Sequence, residues 1–154
     1  MTIHQSLPFG IGQLAEAKSF KRGYRGAWFR CKIHGTMRRK GQIVYGLEYY
    51  DYPDEEIEWI EIYQKPPKSS STMNELKKEL ILRPHYPKIY HVNELPDLNT
   101  ISEVIVAVHG VWRVGDSVDW LSEGCFWSAT VTETISNDKV KVIPLAVNTF
   151  NWKI

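Results

Sequence analysis

Short strand-forming runs separated by turn residues are the feature that most limits what this chain can fold into. Runs rich in aromatic and β-branched residues recur along most of the 154 residues. Spacing of roughly 8–12 residues between such runs is typical of small sandwiches and barrels, not of a parallel sheet. A turn is expected at 34–35 and a basic loop at 38–41. The predicted strands are 12–19, 26–33, 42–50, 57–63, 82–84, 104–108, 116–121, 125–132 and 139–143.

Helical periodicity is found in one short stretch. Met73, Leu76 and Leu80 are spaced as on one face of a helix, and a serine or threonine just before them can act as the N-cap. The pattern predicts one short helix within an inserted loop at about residues 66–81. The fold class is therefore all-β with a short helix in a connecting region.

A weak internal repeat divides the chain. Residues 12–33 and 115–131 both read as a glycine, a polar strand, a glycine-containing turn, and then two aromatic residues followed by alternating polar and small or β-branched residues. Repetition at about a hundred residues indicates duplication of one small barrel rather than a solenoid. We expect two five-stranded antiparallel barrels. The predicted divisions are a tail at 1–8, a first barrel at 9–88, a linker at 89–102 and a second barrel at 103–154.

Composition excludes several classes of function. The net charge of +1 provides no global attraction for nucleic acid or an anionic membrane. Cys31 and Cys125 lie far apart without a ligand spacing, so neither zinc nor a disulfide is expected, and free thiols fit a reducing compartment. The five histidines are scattered, and no catalytic or phosphate-binding motif is present. We expect no enzyme, cofactor or metal, and 104–108, the longest apolar run, is too short to span a membrane.

Aromatic residues and acids offer a different chemistry. Six Trp and eight Tyr are available for cation–π contacts. A methylated ammonium has lost hydrogen-bond donors, so clustered aromatic faces recognise it, and a carboxylate can accept any remaining N–H. The acids form one run along the chain: Asp51, Asp54, Glu55, Glu56, Glu58 and Glu61.

Ordered blocks of sequence resemble a known family. These are Phe9-Gly10-x-Gly12, GYRGAWFRCKI (23–33), LEYYDYP (47–53) and LRPHYP (82–87), with GDSVDWLSEGCFWSATV at 115–131. The first four resemble the first half of a plant tandem Agenet domain, and the last resembles its second half. Agenet domains belong to the Tudor-like group of small bent β-barrels, whose tandem pairs read histone tails. The resemblance implies a nuclear chromatin reader for a methylated lysine. The expected target is the tail of the third core histone, with other chromatin proteins as further partners.

The resemblance also indicates where an aromatic cage would lie in the first barrel. The implied candidates are Phe20, Trp28, Phe29, Tyr49, Tyr52 and Asp51. Side chains alternate along a strand, so only one of Trp28 and Phe29 can line the cage, and both remain candidates. Tyr49 and Tyr52 come at the end of a strand, where their rings are expected at the rim and not in the core. The second barrel has Pro144 at the corresponding strand end, so a complete cage is not expected there.

An acidic flank beside the cage would attract a basic peptide. We expect a groove between the two barrels to hold the flanking residues of the peptide, and the residues assigned to it are Asp54, Glu55, Glu56, Asp116, Asp119, Glu123 and Trp127. A solvated face is the simpler explanation of the acidic run, and a turn is the simpler explanation of Asp116.

Nucleic-acid binding is the alternative function. Basic residues cluster at 18–30 and again at 38–40, with Tyr24 and Trp28 among them. Cations with interleaved aromatics can contact a phosphate backbone and stack on bases. A tandem pair related to Agenet, in the fragile X family, also binds RNA.

Overall fold

The computed structural model describes residues 7–68, 77–85, 88–92, 95–101, 105–108, 110–136 and 139–144. These residues form twelve β-strands and, at Leu98–Thr100, a short 3-10 turn. The chain divides into two compact units. The first comprises Met1–His85 with Glu123–Cys125, and the second comprises Tyr86–Ser122 with Phe126–Ile154. The all-β prediction is confirmed for the described residues.

The first unit contains seven strands. They are β1 (Leu14–Lys18), β2 (Trp28–Arg39), β3 (Gln42–Tyr49), β4 (Glu58–Ile60), β5 (Tyr63–Gln64), β6 (Glu79–Leu80) and β7 (Leu82–Pro84). All the pairings are antiparallel: β7 with β1, β1 with β2, β2 with β3, β3 with β4, and β5 with β6. Between β6 and β7, the amide of Ile81 donates to the carbonyl of Ile62 at 2.8 Å.

Alternation along the strands builds a thin core in the first unit. On β1, Ala15 and Ala17 lie opposite Cys31 and Phe29 of β2. Side chains at alternate positions of a strand share a face. Because Ala15 and Ala17 are small, they leave room on the inner face of β1 for the larger side chains of neighbouring strands. The buried cluster consists of Phe9, Ala15, Ala17, Cys31, Ile33, Tyr45, Leu47, Ile62 and Leu82.

The turn predicted at 34–35 is wrong, because β2 continues to Arg39. The pairing of β2 with β3 shifts register between Ile33 and Gly35, which is a β-bulge. Gly46 lies opposite Gly35, and the ring of Trp59 covers it so closely that an added Cβ would lie 3.0–3.1 Å from ring atoms. Glycine at this position thus admits an indole ring. The chain reverses at 40–41 instead, where both residues have positive φ, 49° and 79°.

The remaining strands are β8 (Lys88–His91), β9 (Ile105–Val108), β10 (Ser117–Ser122), β11 (Cys125–Ser136) and β12 (Lys139–Pro144). They belong to the second unit except for the first residue of β11, Cys125. β10 pairs with β11, which pairs antiparallel with β12. β8 and β9 pair in parallel, contrary to the expectation of antiparallel pairing throughout. β8 begins at the last residue of the predicted first barrel and otherwise lies in the predicted linker, where no strand was expected. β8 is only four residues long and follows directly after Pro87, so the sequence signals a strand weakly there.

The predicted helix at 66–81 lies partly outside the described residues, at 69–76. Where the structure resumes, residues 79–80 form β6, and Leu82 starts β7. Leu82 is buried opposite Ala17 and Ile81 is buried beside it. An extended backbone allows Leu82 to pair with β1 and allows Ile81 and Leu82 to be buried. These tertiary contacts outweigh the helical spacing of the apolar residues at the C-terminal end of the predicted helix.

The repeat seen in the sequence recurs in hydrogen bonding. In the first unit, the amide of Gly12 donates to Ile33 O (2.8 Å), and that of Ile33 donates to Gln13 O (2.9 Å). In the second, the amide of Gly115 donates to Val131 O (2.8 Å), and that of Val131 donates to Asp116 O (2.9 Å). Both glycines have positive φ, 83° and 94°. A register shift follows Ile33 in one unit and Val131 in the other.

Candidate functional site

An open cavity of about 880 Å³ lies on the first unit. Its walls come from the end of β1, the loop between β1 and β2, the end of β3, and the segment leading into β4. Aromatic rings line one part of it: Phe20, Tyr24, Phe29, Tyr49 and Tyr52. Carboxylates line another part: Asp54, Glu55, Glu56 and Glu58. A cavity with aromatic and acidic walls suits an organic cation.

Phe29 is the centre of the aromatic part. Its ring centroid lies 5.8 Å from that of Tyr24, 5.9 Å from that of Tyr52 and 6.3 Å from that of Tyr49. The ring planes are inclined at 64°, 53° and 84°, respectively. These edge-to-face and tilted arrangements are the preferred geometry of packed aromatic pairs, so Phe29 holds the three tyrosine rings together in one cluster at the cavity.

Two glycines position Tyr24 in the β1–β2 loop. Gly23 and Gly26 have positive φ, 86° and 84°, which residues with a Cβ rarely adopt. The amide of Tyr24 donates to Lys21 O, and that of Ala27 donates to Tyr24 O, each at 3.0 Å. These consecutive turns fold the loop back so that the Tyr24 ring reaches Phe29.

Tyr49 is held more firmly than a rim residue. It lies opposite Cys31 and packs against the core of the first unit. Its hydroxyl donates to Glu58 Oε2 at 2.5 Å. Burial, together with this hydrogen bond, raises the pKa of Tyr49, so the hydroxyl keeps its proton and acts as a donor. The expectation that Tyr49 contributes little to packing is therefore wrong, because the ring serves both core and cavity.

Tyr52 fits the rim description better. Its side chain is 37% exposed, and its hydroxyl donates to the carbonyl of Glu123 at 3.1 Å. Desolvation raises the pKa of Tyr52. The hydrogen bond fixes the outer end of the ring, while its face remains beside Phe29.

Trp28 and Asp51 do not line the cavity. Trp28 lies on the opposite face of β2, where the guanidinium of Arg83 stacks 4.2 Å from its ring centroid. Both oxygens of Asp51 accept hydrogen bonds from Arg30, at 2.5 and 3.0 Å. The structure thus places Phe29, and not Trp28, in the cavity with Tyr49 and Tyr52.

The aromatic cavity lies within a segment that matches a known family. Residues 12–87 match the family model described as the Agenet domain. The chain contains an Agenet domain. Agenet domains are Tudor-like β-barrel modules that are often involved in reading histone methylation. A search of curated proteins produced no match to the chain.

The predicted acidic flank separates into two groups. Asp54, Glu55 and Glu56, in the matched Agenet segment, line the cavity and are exposed. The other four lie in or around the β10–β11 hairpin: Asp116, Asp119, Glu123 and Trp127. Asp116 accepts a hydrogen bond from the amide of Arg113, as the turn interpretation predicted, and Asp119 accepts one from Ser128 Oγ. Trp127 is 9% exposed and so is part of a core.

The sequence assigned neither Tyr24 nor Glu58 to the cage. Tyr24 carried a signal, because the glycines at 23 and 26 indicate a folded loop, but only the fold reveals where that loop points. In the sequence, Glu58 is only one of several acids between residues 51 and 61. Its place opposite Leu47 depends on the register of β4 against β3. A strand of three residues is too short for its sequence pattern to define that register.

Metals and membranes have no site in the described part of the chain. No group of three or more His, Cys, Asp or Glu side chains there could hold a metal ion. Within the same residues, no helix has the length and apolar character needed to cross a membrane.

Proposed function

We propose that the Agenet domain of this chain is a non-enzymatic reader that binds a methylated lysine of a histone tail in the aromatic cavity. The observation that carries the proposal is the cluster of three tyrosine rings around Phe29, within 6.3 Å of it. Each aromatic face contributes about 0.5–2 kcal/mol to binding a desolvated cation. Methylation lowers the cost of removing the ammonium from water, so such a cavity favours the methylated form.

The cavity lining carries four carboxylates against two cations, Lys18 and Lys21, and this negative balance supports a basic peptide as the ligand. Asp54, Glu55 and Glu56 form no ion pair with other described residues, so their charges are available to a ligand. Histone tails are rich in lysine and arginine, and complementary charge mainly accelerates their association. A nuclear location and contacts with other chromatin proteins follow from the same proposal, and they rest on the family alone.

The proposed architecture is a pair of tandem barrels. In the first unit, pairings lead from β1 through β2 and β3 to β4, and from β5 through the β6–β7 segment back to β1. This order supports a small barrel. For the second unit, support comes from the glycine-anchored hydrogen bonds and the bulge that recur there. We propose that the second unit has no complete cage and a structural role.

A peptide-binding screen tests the function. Tail peptides of the core histones, each lysine in unmodified and methylated forms, would be titrated against the whole chain, with single-stranded RNA as the comparison. We expect a methylated peptide to bind at least about tenfold more tightly than its unmodified form. Equal affinity for both forms of every peptide would refute the proposal.

Nucleic-acid binding remains the second candidate, supported by the β2–β3 hairpin tip. Arg38, Arg39 and Lys40 are all exposed and form no ion pair with other described residues. Cations at 18–30 support it less, because Lys18 is bonded to Glu79 at 2.8 Å and Arg30 to Asp51. Charge reversal at all three tip residues should abolish any salt-dependent RNA binding and leave peptide binding intact. RNA binding unchanged by the reversal would exclude the tip.

A further inference from the structure

Glu58 differs from the other carboxylates of the cavity. Asp54, Glu55 and Glu56 are exposed, whereas Glu58 is partly buried in β4, opposite Leu47. Asp51, the acid expected to serve the cage, is engaged by Arg30. Glu58 is therefore the carboxylate that the fold holds against the aromatic cluster.

Tyr49 links Glu58 to the aromatic wall. The ring of Tyr49 contacts Phe29, and its hydroxyl donates to Glu58 Oε2. The raised pKa of Tyr49 keeps that hydroxyl protonated, so it acts as donor and the carboxylate as acceptor. Among the described residues, Oε1 of Glu58 has no side-chain partner, which leaves it able to accept a further hydrogen bond.

Methylation states of lysine differ in what they can donate. A monomethylammonium has two N–H groups, a dimethylammonium has one, and a trimethylammonium has none. Only the first two can form a charge-assisted hydrogen bond with a fixed carboxylate, while all three gain from aromatic faces. An unmodified ammonium can also donate, but it gains less from an apolar wall and gives up more hydration.

We propose that Glu58, held by Tyr49, sets the methylation state that this cavity selects, favouring mono- and dimethyllysine over trimethyllysine. The inference rests on the proposed function, since it assigns a selectivity to the same cavity. Glu58 is the specificity-determining residue, and the Tyr49 hydroxyl is a positioning group that acts through it.

The test measures a ratio of affinities. A tail peptide of the third core histone, made with one lysine in unmodified, mono-, di- and trimethyl forms, would be titrated against the whole chain by calorimetry. The parent should bind the dimethyl form at least about fivefold more tightly than the trimethyl form. Glu58→Gln should weaken dimethyl binding by about tenfold and trimethyl binding by no more than about twofold, so that the preference disappears.

Three further variants separate selectivity from charge and folding. Glu56→Gln removes the same charge from an exposed position of the same cavity, so it should weaken all methylated forms alike and keep the preference. Tyr49→Phe keeps the ring wall but releases the carboxylate, so it should lower the dimethyl preference while trimethyl binding persists. Glu58→Asp, which withdraws the carboxylate by one methylene, replaces Glu58→Gln if that variant does not fold.

The outcomes distinguish this inference from the proposed function. Methylated peptides that bind with a trimethyl preference would overturn the role of Glu58 and leave the reader function standing. An equal loss for di- and trimethyl forms in Glu58→Gln would do the same. No binding of any methylated form, both here and for every lysine in the screen of core-histone tails, would end both proposals.

Discussion

The two units share a local framework and differ at positions that line the cavity of the first unit. Ile33 and Val131 occupy equivalent places, because each exchanges hydrogen bonds with the residues at a glycine turn and each precedes a bulge. Two residues earlier, Cys31 lies opposite Tyr49 in the first unit, and Ala129 lies opposite Pro144 in the second. The same strand pairing therefore ends in a hydroxyl-bearing ring in one unit and in a proline in the other.

The position of Phe29 shows the same divergence. Its equivalent in the second unit is Trp127, which is buried, whereas Phe29 is partly buried and faces a cavity. An aromatic residue at this strand position is thus compatible with either role. Phe29 differs from Trp127 in its neighbours, because the rings of Tyr24, Tyr49 and Tyr52 surround it at the cavity.

The largest expected effect is on the stability of the second unit. Trp127→Ala should lower the free energy of unfolding by about 3–5 kcal/mol, because it empties a large buried volume. Denaturant unfolding followed by circular dichroism measures this, and peptide affinity of the folded protein should be retained. Lost peptide binding with unchanged stability would place Trp127 in the site and break the comparison.

Phe29→Ala should act mainly on binding. Removing the ring that contacts three tyrosines should cost about 2 kcal/mol, or about thirtyfold in affinity for the methylated peptide. Trp28→Ala is the matched control on the opposite face of β2: it loses the stack on Arg83, so it should lower the melting temperature and leave affinity unchanged. Affinity lost in Trp28→Ala and kept in Phe29→Ala would reverse the assignment.

Neutralising the acidic segment should have a smaller effect. Glu55→Gln together with Glu56→Gln should slow association severalfold and leave dissociation nearly unchanged, since exposed charges act before contact is made. Raising the salt concentration should weaken binding of the parent more than that of the variant. Stopped-flow kinetics measures both effects, and unchanged association would make these residues an ordinary solvated surface.

The effect that is smallest at neutral pH concerns Cys31, whose equivalent in the second unit is Ala129. Burial raises the pKa of the Cys31 thiol to about 12 from an ordinary value of 9.0. Its contribution to stability is complete below about pH 9 and is lost as the pH rises towards 12, because the unfolded chain releases the proton first. Cys31→Ala should make the fall in melting temperature between about pH 8 and about pH 11 shallower. An identical slope in both proteins would contradict the burial argument.

The sequence was a good guide to what depends on local pattern. Most strand positions, the repeated glycine-strand-aromatic pattern that begins at 12 and at 115, and the cavity residues Phe29, Tyr49 and Tyr52 follow from alternation and from the family blocks. To choose between Trp28 and Phe29, one must know which face of β2 points inward. Phe29 lies opposite the buried Ala17, so Phe29 is on the inner face.

Features that depend on pairing partners were not predictable. The bulge after Ile33 looked like a turn, because His34 and Gly35 are typical turn residues and the matching Gly46 lies on another strand. Asp51 was assigned to the cage, but Arg30, on the neighbouring strand, engages it. Glu58 and Tyr24 reach the cavity through strand register and loop geometry, which are set by contacts distant in sequence.

The most direct test of the account is the location of the methyl groups in the bound state. Intermolecular nuclear Overhauser effects would be measured between the N-methyl protons of a dimethyllysine tail peptide and the aromatic protons of the whole chain. The account predicts contacts to Phe29, Tyr24 and Tyr52, with the methyl resonances shifted upfield by the ring faces. Contacts to Trp28 or Trp127 instead, with none to Phe29, would contradict it.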